Sequence, residues 1–182
     1  LKLITKDSYK KDFDKVIICA GAQSGFLSKL FGDFFNIISE RGYHLMYQNY
    51  GNIIKRPIGI GKQGFYYTPM DDGLRAAGTV EIGSNNKKIN HSRIKWMEKR
   101  VKETFDIKDL PNKVWLGFRP TLPDSLPVIG ESKINSNVIY NFGHQHLGLT
   151  LASYSAELVK KIIYNEKIDK EINLINPRRF SS

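Results

Sequence analysis

Two short apolar runs, each followed by a glycine and then by a helical pattern, constrain the fold of this chain most. "VIICAGA" lies at residues 16–22 and "NVIYNFG" at residues 137–143. An unbroken apolar run of this length is typical of a parallel strand that is buried on both faces. "AQSGFLSKLFG" and "LTLASYSAELVKKIIYNEK", which follow them, have helical periodicity. Strand–turn–helix units near both ends of the chain therefore predict an α/β layer.

The middle of the chain has a different pattern, that of short antiparallel strands. "RGYHLMYQNY" and "IIKRPIGIGKQGFYYTPMDDGLRAAGTVEIGS" are rich in aromatic residues and interrupted by glycine, and "DDG" is a hairpin signal. An amphipathic helix follows, with Ile94, Met97, Val101 and Phe105 on one face. The sequence thus predicts an antiparallel sheet inserted into the α/β layer. Because two buried strands do not form a stable parallel sheet alone, we expect further strands from an N-terminal part that precedes this sequence.

Several classes of site are disfavoured by composition. A single cysteine excludes an internal disulfide framework, and within its apolar run Cys19 is predicted to be a small buried side chain. Four histidines and one cysteine, without paired spacing, predict no metal site. No apolar run is long enough for a membrane span. In the last helix, the periodicity predicts an inner face of Leu151, Tyr154, Leu158 and Ile162.

The net charge of +10 raises the question of an anionic partner. The lysines are spread along the chain, and no basic cluster alternates with aromatic residues as in nucleic-acid-binding domains. We therefore expect no nucleic-acid partner and interpret the charge as a solvated basic surface. A functional anionic partner is the alternative.

Five motifs occur in order along the chain: "VIICAGA", "ERGYHL", "YYTPMDDGLRAAGTVE", "WLGFRPTLPDSLPVIG" and "NFGHQHLGLTLA". Together they resemble the C-terminal half of the FAD-dependent D-amino acid dehydrogenases, which belong to the wider group that includes D-amino acid oxidase, glycine oxidase and sarcosine oxidase. The resemblance runs from about Asp14 to Ile163. The GxGxxG dinucleotide loop that this family has at its extreme N-terminus is not among these motifs. The resemblance implies an incomplete FAD-binding Rossmann-like layer with an inserted antiparallel-sheet substrate domain.

"NFGHQHLGLT" is the predicted flavin contact. Gly143 and Gly148 flank a turn before a helix, where unpaired N–H groups and a partial positive charge are presented. An ordinary strand-to-helix turn is the alternative. The resemblance places this turn against the isoalloxazine ring. It implies a set of cofactor-binding residues: Ala20, Gly21, Gly130, Gly143, His146, Leu147, Gly148, Leu149 and Thr150.

The predicted substrate contacts begin with Arg119 in "GFRPTLPD". Its planar guanidinium is suited to bidentate carboxylate binding, although a structural salt bridge is the alternative. The resemblance places Arg119 at the substrate carboxylate. Tyr66 and Tyr67 point to opposite faces of a strand, so at most one of them faces substrate. His144 is a further candidate, and no side chain is predicted to act as an acid, base or nucleophile.

The resemblance implies four segments: residues 1–42 and 118–176 in the FAD-binding domain, 43–117 in the substrate-binding domain, and 177–182 as a tail. The expected reaction is oxidative deamination of a D-amino acid, with hydride transfer from Cα to flavin N5 and release of a 2-oxo acid and ammonia. A quinone or another carrier would accept the electrons, with oxygen as the alternative.

Two other functions compete with this reaction. One is an oxidase of glycine, sarcosine or another secondary amine, and the other is a non-catalytic fragment or subunit that needs a partner chain. The resemblance implies a cytoplasmic enzyme, with peripheral association at the inner face of the cytoplasmic membrane as a variant of that prediction.

Overall fold

The computed structural model describes residues 2–4, 10–83, 85–168 and 170–180. The chain divides into two compact units: the first comprises Leu1–Ser39 and Arg119–Ser182, and the second Glu40–Phe118. The strands are β1 (Lys2–Ile4), β2 (Lys10–Asp12), β3 (Val16–Ile18), β4 (Ile38–Tyr47), β5 (Ile58–Ile60), β6 (Phe65–Met70), β7 (Gly73–Gly83), β8 (Lys113–Thr121), β9 (Val128–Glu131) and β10 (Val138–Phe142). The α-helices are α1 (Ser24–Lys29), α2 (His91–Phe105) and α3 (Ala152–Ile163). Short 3₁₀ segments occupy Gly21–Gln23, Gln48–Tyr50, Gly61–Gln63, Lys170–Ile175 and Pro177–Phe180.

The first unit is built on a mixed sheet with the strand order β3-β10-β9. β10 pairs with β3 in parallel and with β9 antiparallel. One face packs Tyr140 and Phe142 against Phe35 and the region of α1, and the other packs Ile139 against Leu158 of α3. The predicted α/β layer is confirmed, since the apolar runs near both ends of the chain form its parallel pair.

Three details of that prediction were wrong. The strand after Lys15 is shorter than the apolar run and ends at Ile18, and Ile17 is exposed. Cys19 is exposed rather than buried, because it follows the end of β3 at the sheet edge. In α3 the buried positions are Ser155, Leu158 and Val159, whereas Tyr154 is exposed. The inner face of this helix is therefore rotated relative to the predicted stripe.

The second unit is a five-stranded sheet with the order β5-β6-β7-β4-β8, covered on one face by α2. The hairpin predicted from "DDG" joins β6 to β7, with Met70 opposite Gly73. Ile94, Met97 and Val101 of α2 are buried against Tyr43, Leu45 and Phe65 of the sheet, and Phe105 is partly buried there. The amphipathic face predicted for α2 is thus confirmed.

Along β7, the residues that face α2 change from even-numbered to odd-numbered positions. Leu74 and Ala76 are buried against α2, yet the odd-numbered Glu81 also bonds to residues of that helix region. Thr79 has a left-handed backbone with φ 60°, which introduces a one-residue shift of the kind produced by a β-bulge. Glu81 is thereby placed beside the start of α2.

Candidate functional site

The carboxyl ends of β3 and β10 define one edge of the sheet in the first unit. Because the two strands are parallel, with Tyr140 opposite Ile18, Ala20 and Gly21 leave the sheet beside Gly143. Small ligands of α/β proteins bind outside the carboxyl ends of parallel strands. The predicted cofactor residues Ala20, Gly21 and Gly143 are thus brought together at an edge suited to ligand binding.

The segment after Arg119 reaches the same edge. β9 is antiparallel to β10, so Val128 lies opposite Phe142, and residues 122–127, here called the connecting turn, precede it at that edge. A side chain at Gly143 would collide with Cδ1 of Leu122 and would come within 3.6 Å of Pro127 Cα. Gly143 has φ 86°, a conformation that favours glycine. The missing side chain of Gly143 therefore makes room for the connecting turn.

Residues 143–150, here called the glycine turn, end in free backbone amides. In the described part of the chain, the N–H groups of Gly148, Leu149 and Thr150 donate to no protein acceptor, whereas Leu147 N donates to His144 O at 2.8 Å. Leu149 is 93% exposed, and a side chain at Gly148 would meet only His144 Cβ, at 3.7 Å. These amides precede α3, where the helix dipole adds partial positive charge. The glycine turn can therefore donate hydrogen bonds to an anionic group.

The two histidines of the glycine turn have different environments. His144 Nε2 lies 2.9 Å from Ser155 Oγ in α3, and burial lowers the pKa of its imidazole. That contact ties His144 to α3, so its predicted substrate role would require its other ring nitrogen. His146 also has an interaction partner. No three His, Cys, Asp or Glu side chains among the described residues are grouped as a metal site requires.

Gly130 has a contact that the sequence did not reveal. Its φ is 152°, and a Cβ there would lie 2.6 Å from Cδ of Pro177 and 3.3 Å from Nδ2 of Asn176. The close approach that Gly130 permits is therefore to the segment 176–180 of the chain itself. The predicted cofactor contact at Gly130 stays a prediction.

Arg119 lies near the end of β8 with an unpaired guanidinium nitrogen. Its Nη1 is shielded from solvent and has no hydrogen-bond partner, and no described acidic residue forms a salt bridge with Arg119. A shielded cationic donor without an acceptor is costly, so such a group indicates a missing partner. A substrate carboxylate would supply that partner through two parallel hydrogen bonds.

Three further polar groups near this edge are shielded without a partner, and sequence reasoning missed them. They are Thr121 Oγ1, Asn141 Oδ1 and Gln145 Nε2. Gln145 also has a left-handed backbone, with φ 49°. Nothing in the sequence distinguishes these three residues from ordinary polar residues of loops, because their burial depends on packing between distant segments.

The tyrosine candidates belong to the second unit. Tyr66 is 68% exposed, whereas Tyr67 is fully buried and its hydroxyl lies 3.3 Å from Thr104 Oγ1. Their opposite orientation is confirmed, and Tyr67 is a core residue that packs on α2. Tyr66 stays the candidate for a substrate contact.

A histidine on the open face of the second sheet was also missed. His44 stacks on Trp115 with ring centroids 4.8 Å apart, beside a cavity of about 440 Å³ that Met70 and Arg75 also line. Burial and the positive charge of Arg75 lower the pKa of His44 to about 4. Its imidazole is therefore neutral at physiological pH, with Nδ1 shielded and unpaired.

The residues at the sheet edge fit a flavin ring. The free amides of Gly148, Leu149 and Thr150 offer donors to a ring edge that gains negative charge, and Thr150 adds a hydroxyl donor. Gly21 has φ 55°, and a side chain there would meet no atom within 4 Å, so the end of β3 is open. These residues would hold the ring. The spacing GxGxxG occurs at Gly59–Gly64, but there it joins the antiparallel strands β5 and β6 instead of a parallel strand and an α-helix, so it does not form a pyrophosphate loop.

Comparison with known proteins shows the family to which the chain belongs. Residues 3–162 match the family model described as FAD dependent oxidoreductase, so the chain belongs to that family of FAD-dependent flavoproteins. A D-amino-acid oxidase of Bradyrhizobium diazoefficiens is 31% identical over 92% of this chain and 41% of its own length. A D-amino acid dehydrogenase of Vibrio vulnificus is 27% identical over 94% of this chain and 42% of its own length. The chain thus spans about two fifths of the curated relatives it matches.

Solved structures share the fold. A glycine oxidase from Geobacillus kaustophilus has a TM-score of 0.80 at 18% identity. The match covers 100% of this chain and 49% of the glycine oxidase chain. An L-proline dehydrogenase from P. horikoshii has a TM-score of 0.81 at 17% identity, covering 98% of this chain and 50% of that chain. The α/β layer with an inserted antiparallel sheet is therefore confirmed as the fold class.

Proposed function

We propose that this chain forms the substrate-binding and flavin-facing part of an enzyme that oxidatively deaminates D-amino acids. The observation that carries the proposal is the shielded, unpaired Nη1 of Arg119, on the strand that leads to the edge with the glycine turn. An amino acid has one fixed negative charge, its carboxylate, and a planar guanidinium pairs with it through two hydrogen bonds. The D-amino-acid oxidase and dehydrogenase among the relatives support this substrate class.

The side chains of this chain would orient rather than carry out acid–base chemistry. Arg119 would hold the carboxylate, so that Cα lies in a fixed position at the edge occupied by the glycine turn. FAD, when bound, supplies the acceptor for the hydride that leaves Cα. The amides of Gly148, Leu149 and Thr150 would offer hydrogen bonds to the negative charge that then develops. The released imino acid takes up water to give a 2-oxo acid and ammonia, and a quinone or another carrier takes the electrons.

The test is steady-state kinetics of Arg119→Ala and Arg119→Lys in the full-length protein that contains this chain. The substrates are D-alanine and the uncharged D-alaninamide. Loss of a bidentate charge-assisted contact should lower kcat/KM for D-alanine about 30- to 1000-fold, with little change for the amide. Arg119→Lys should lose less than Arg119→Ala but stay below wild type, because an ammonium group cannot form two parallel hydrogen bonds with a carboxylate.

Equal losses with both substrates, at normal flavin content, would make Arg119 structural and defeat the proposal. Glycine, sarcosine and L-alanine, assayed in the same series, test the substrate class: higher efficiency with a secondary amine than with any D-amino acid would favour a secondary-amine oxidase. Reoxidation with oxygen or a quinone analogue distinguishes the electron acceptors.

A further inference from the structure

The connecting turn is clamped by a residue from the end of the chain. Arg179 Nε lies 2.6 Å from Asp124 Oδ2, and its Nη2 lies 3.3 Å from Asp124 Oδ1 and 2.9 Å from the carbonyl oxygen of Leu126. This is a bidentate guanidinium–carboxylate pair with one additional backbone contact. Such a pair fixes geometry as well as charge.

The clamp is better shielded than an ordinary surface ion pair. The Arg179 side chain is 13% exposed, and its guanidinium lies 4.2 Å from the ring centroid of Phe180. Phe180 in turn packs edge-on against Phe35 of the first unit's core. Exposed salt bridges contribute little, but a partly buried bidentate pair anchored by packing holds its partner in place.

The connecting turn has few other internal restraints. It contains two prolines, which donate no backbone hydrogen bond. Ser125 has φ 62°, a left-handed conformation that costs free energy for a residue with a side chain. Ser125 N donates to Leu122 O at 3.0 Å, and Leu126 N donates to Asp124 Oδ1 at 3.1 Å. Leu122 is buried in the core at the start of the turn, and Arg179 supplies the contact that restrains Asp124 and Leu126 further along it.

The connecting turn joins both parts of the candidate site. It begins three residues after Arg119, and Leu122 fills the space left by the missing side chain of Gly143. A shift of Asp124 would be transmitted along the chain to Arg119 and by contact to the glycine turn. A displaced Arg119 guanidinium would bind the substrate carboxylate less well, because a bidentate pair depends on its geometry.

We propose that Arg179 is a positioning residue, which acts through Asp124 and the connecting turn to hold Arg119 where it can receive a substrate carboxylate. This inference rests on the proposed function of Arg119. Arg179 lies outside residues 3–162, which match the family model. The segment predicted as a tail is thus a functional part of the first unit as far as Phe180, and Ser181 and Ser182 lie outside the described residues.

The experiment uses the full-length holoenzyme with the variants Arg179→Ala, Arg179→Lys and Asp124→Asn. Arg179→Ala should raise KM for D-alanine about tenfold while kcat for D-alanine and the efficiency with D-alaninamide change less than about twofold. Lys should restore part of the loss. Lys160→Ala, which removes an exposed ion pair with Glu157 in the same unit, should change none of these values.

Two double variants separate positioning from general damage. In an Arg119→Ala background, Arg179→Ala should cause no further loss specific to the acid, because the residue it positions is absent. Asp124→Arg combined with Arg179→Asp should restore part of the selectivity for the carboxylate. The swapped pair also keeps the test decisive if Arg179→Ala fails to fold.

The outcomes distinguish this inference from the proposed function. If Arg119→Ala loses efficiency selectively with the acid but Arg179→Ala affects acid and amide alike, or neither, the positioning role is overturned and the proposed function stands. If Arg119→Ala shows no selectivity for the acid, both are overturned. Additive acid-specific losses in the double variant also overturn the coupling.

Discussion

Gly143 and Gly148 lack a side chain for different reasons, although both lie in the glycine turn. At Gly143 the backbone is left-handed and Leu122 occupies the space of a side chain. At Gly148 the surrounding space is open, and the nearest atom to a side chain there is His144 Cβ at 3.7 Å. The first glycine is therefore required by the fold, and the second is available for an approaching ligand.

This difference predicts opposite phenotypes for the two positions. Gly143→Ala should lower the free energy of unfolding by about 1–3 kcal/mol, because it adds backbone strain and a collision with Leu122. Gly148→Ala should change it by less than about 0.5 kcal/mol. Urea titration of the flavin-free protein measures both values. Equal destabilisation would show that Gly148 is also packed against the fold.

His44 is predicted to stay neutral down to acidic pH. Burial beside Arg75 lowers its pKa to about 4, so NMR titration of its ring protons, assigned with His44→Gln, should give a midpoint near that value. The unfolded chain takes up this proton near pH 6.5. The contribution of neutral His44 to stability is therefore complete above that pH and decreases as pH falls from 6.5 towards 4. A midpoint near 6.5 would contradict the burial of this imidazole.

Glu81 joins the sheet of the second unit to the start of α2. Its carboxylate accepts from Tyr43 Oη at 2.7 Å and from Asn90 Nδ2 at 3.1 Å, and it lies 3.1 Å from Arg41 Nη1. Asn90 in turn caps α2, since its Oδ1 accepts from Ser92 N at 3.2 Å. One carboxylate therefore fixes both the strand β7 and the helix start.

We expect Glu81→Gln to destabilise the protein by about 1–3 kcal/mol, because it weakens several shielded contacts at once. The matched control is Glu103→Gln on α2, whose carboxylate is 41% exposed compared with 21% for Glu81. Its ion pairs with Lys99 and Arg100 should contribute less than about 1 kcal/mol. Denaturation midpoints of the two variants compare the contributions directly, and similar losses would contradict the network role of Glu81.

The Glu81 network should also depend on pH. Hydrogen bonds from Asn90 and Tyr43 hold the pKa of Glu81 below its ordinary value of 4.5. A carboxyl whose folded pKa is depressed stabilises the fold above its unfolded pKa and loses this effect as pH falls. The stability difference between wild type and Glu81→Gln should therefore be full at neutral pH and shrink below about pH 4.5. A difference that stays constant down to pH 3 would contradict this assignment.

The elements were predictable where local pattern alone decides them. The buried face of α2 followed from its charged opposite face, and the β6–β7 hairpin followed from its turn residues. For α3, apolar residues at positions 151, 154, 158, 159, 162 and 163 form two overlapping stripes. The stripe that is buried in the structure lies on the side of Ser155, which contacts His144. No sequence pattern reveals that contact.

The candidate site was predictable only in part, for the same reason. Arg119 and the glycine turn carry recognisable chemistry in the sequence. The partner of Asp124 lies 55 residues away in the chain, so this contact depends on tertiary packing that no local pattern of residues encodes. The one-residue shift at Thr79 depends on a left-handed backbone conformation that its residue type does not favour.

At the scale of the whole molecule, the 182 residues contain the candidate site in the first unit and a five-stranded sheet in the second. None of the helices in the described part of the chain is long and apolar enough to cross a membrane. The free amides of Gly148, Leu149 and Thr150 are suited to a flavin ring, whereas the glycine-rich spacing of Gly59–Gly64 joins the antiparallel strands β5 and β6 and does not form a pyrophosphate loop. We therefore expect ring binding and dinucleotide binding to be separable in this molecule.

This separation predicts how a polypeptide of residues 1–182 binds flavins. It should purify without stoichiometric FAD, because contacts with the ring alone provide a small share of dinucleotide affinity. In fluorescence titrations, FAD and riboflavin should have Kd values within about threefold of each other, since the adenosine diphosphate moiety finds no helix N-terminal loop to bind. Gly148→Val should weaken both flavins alike, whereas Lys160→Ala, remote from the glycine turn, should weaken neither. A purified chain with one FAD per polypeptide, or an FAD affinity far above that of riboflavin, would show that these 182 residues hold a pyrophosphate site of their own.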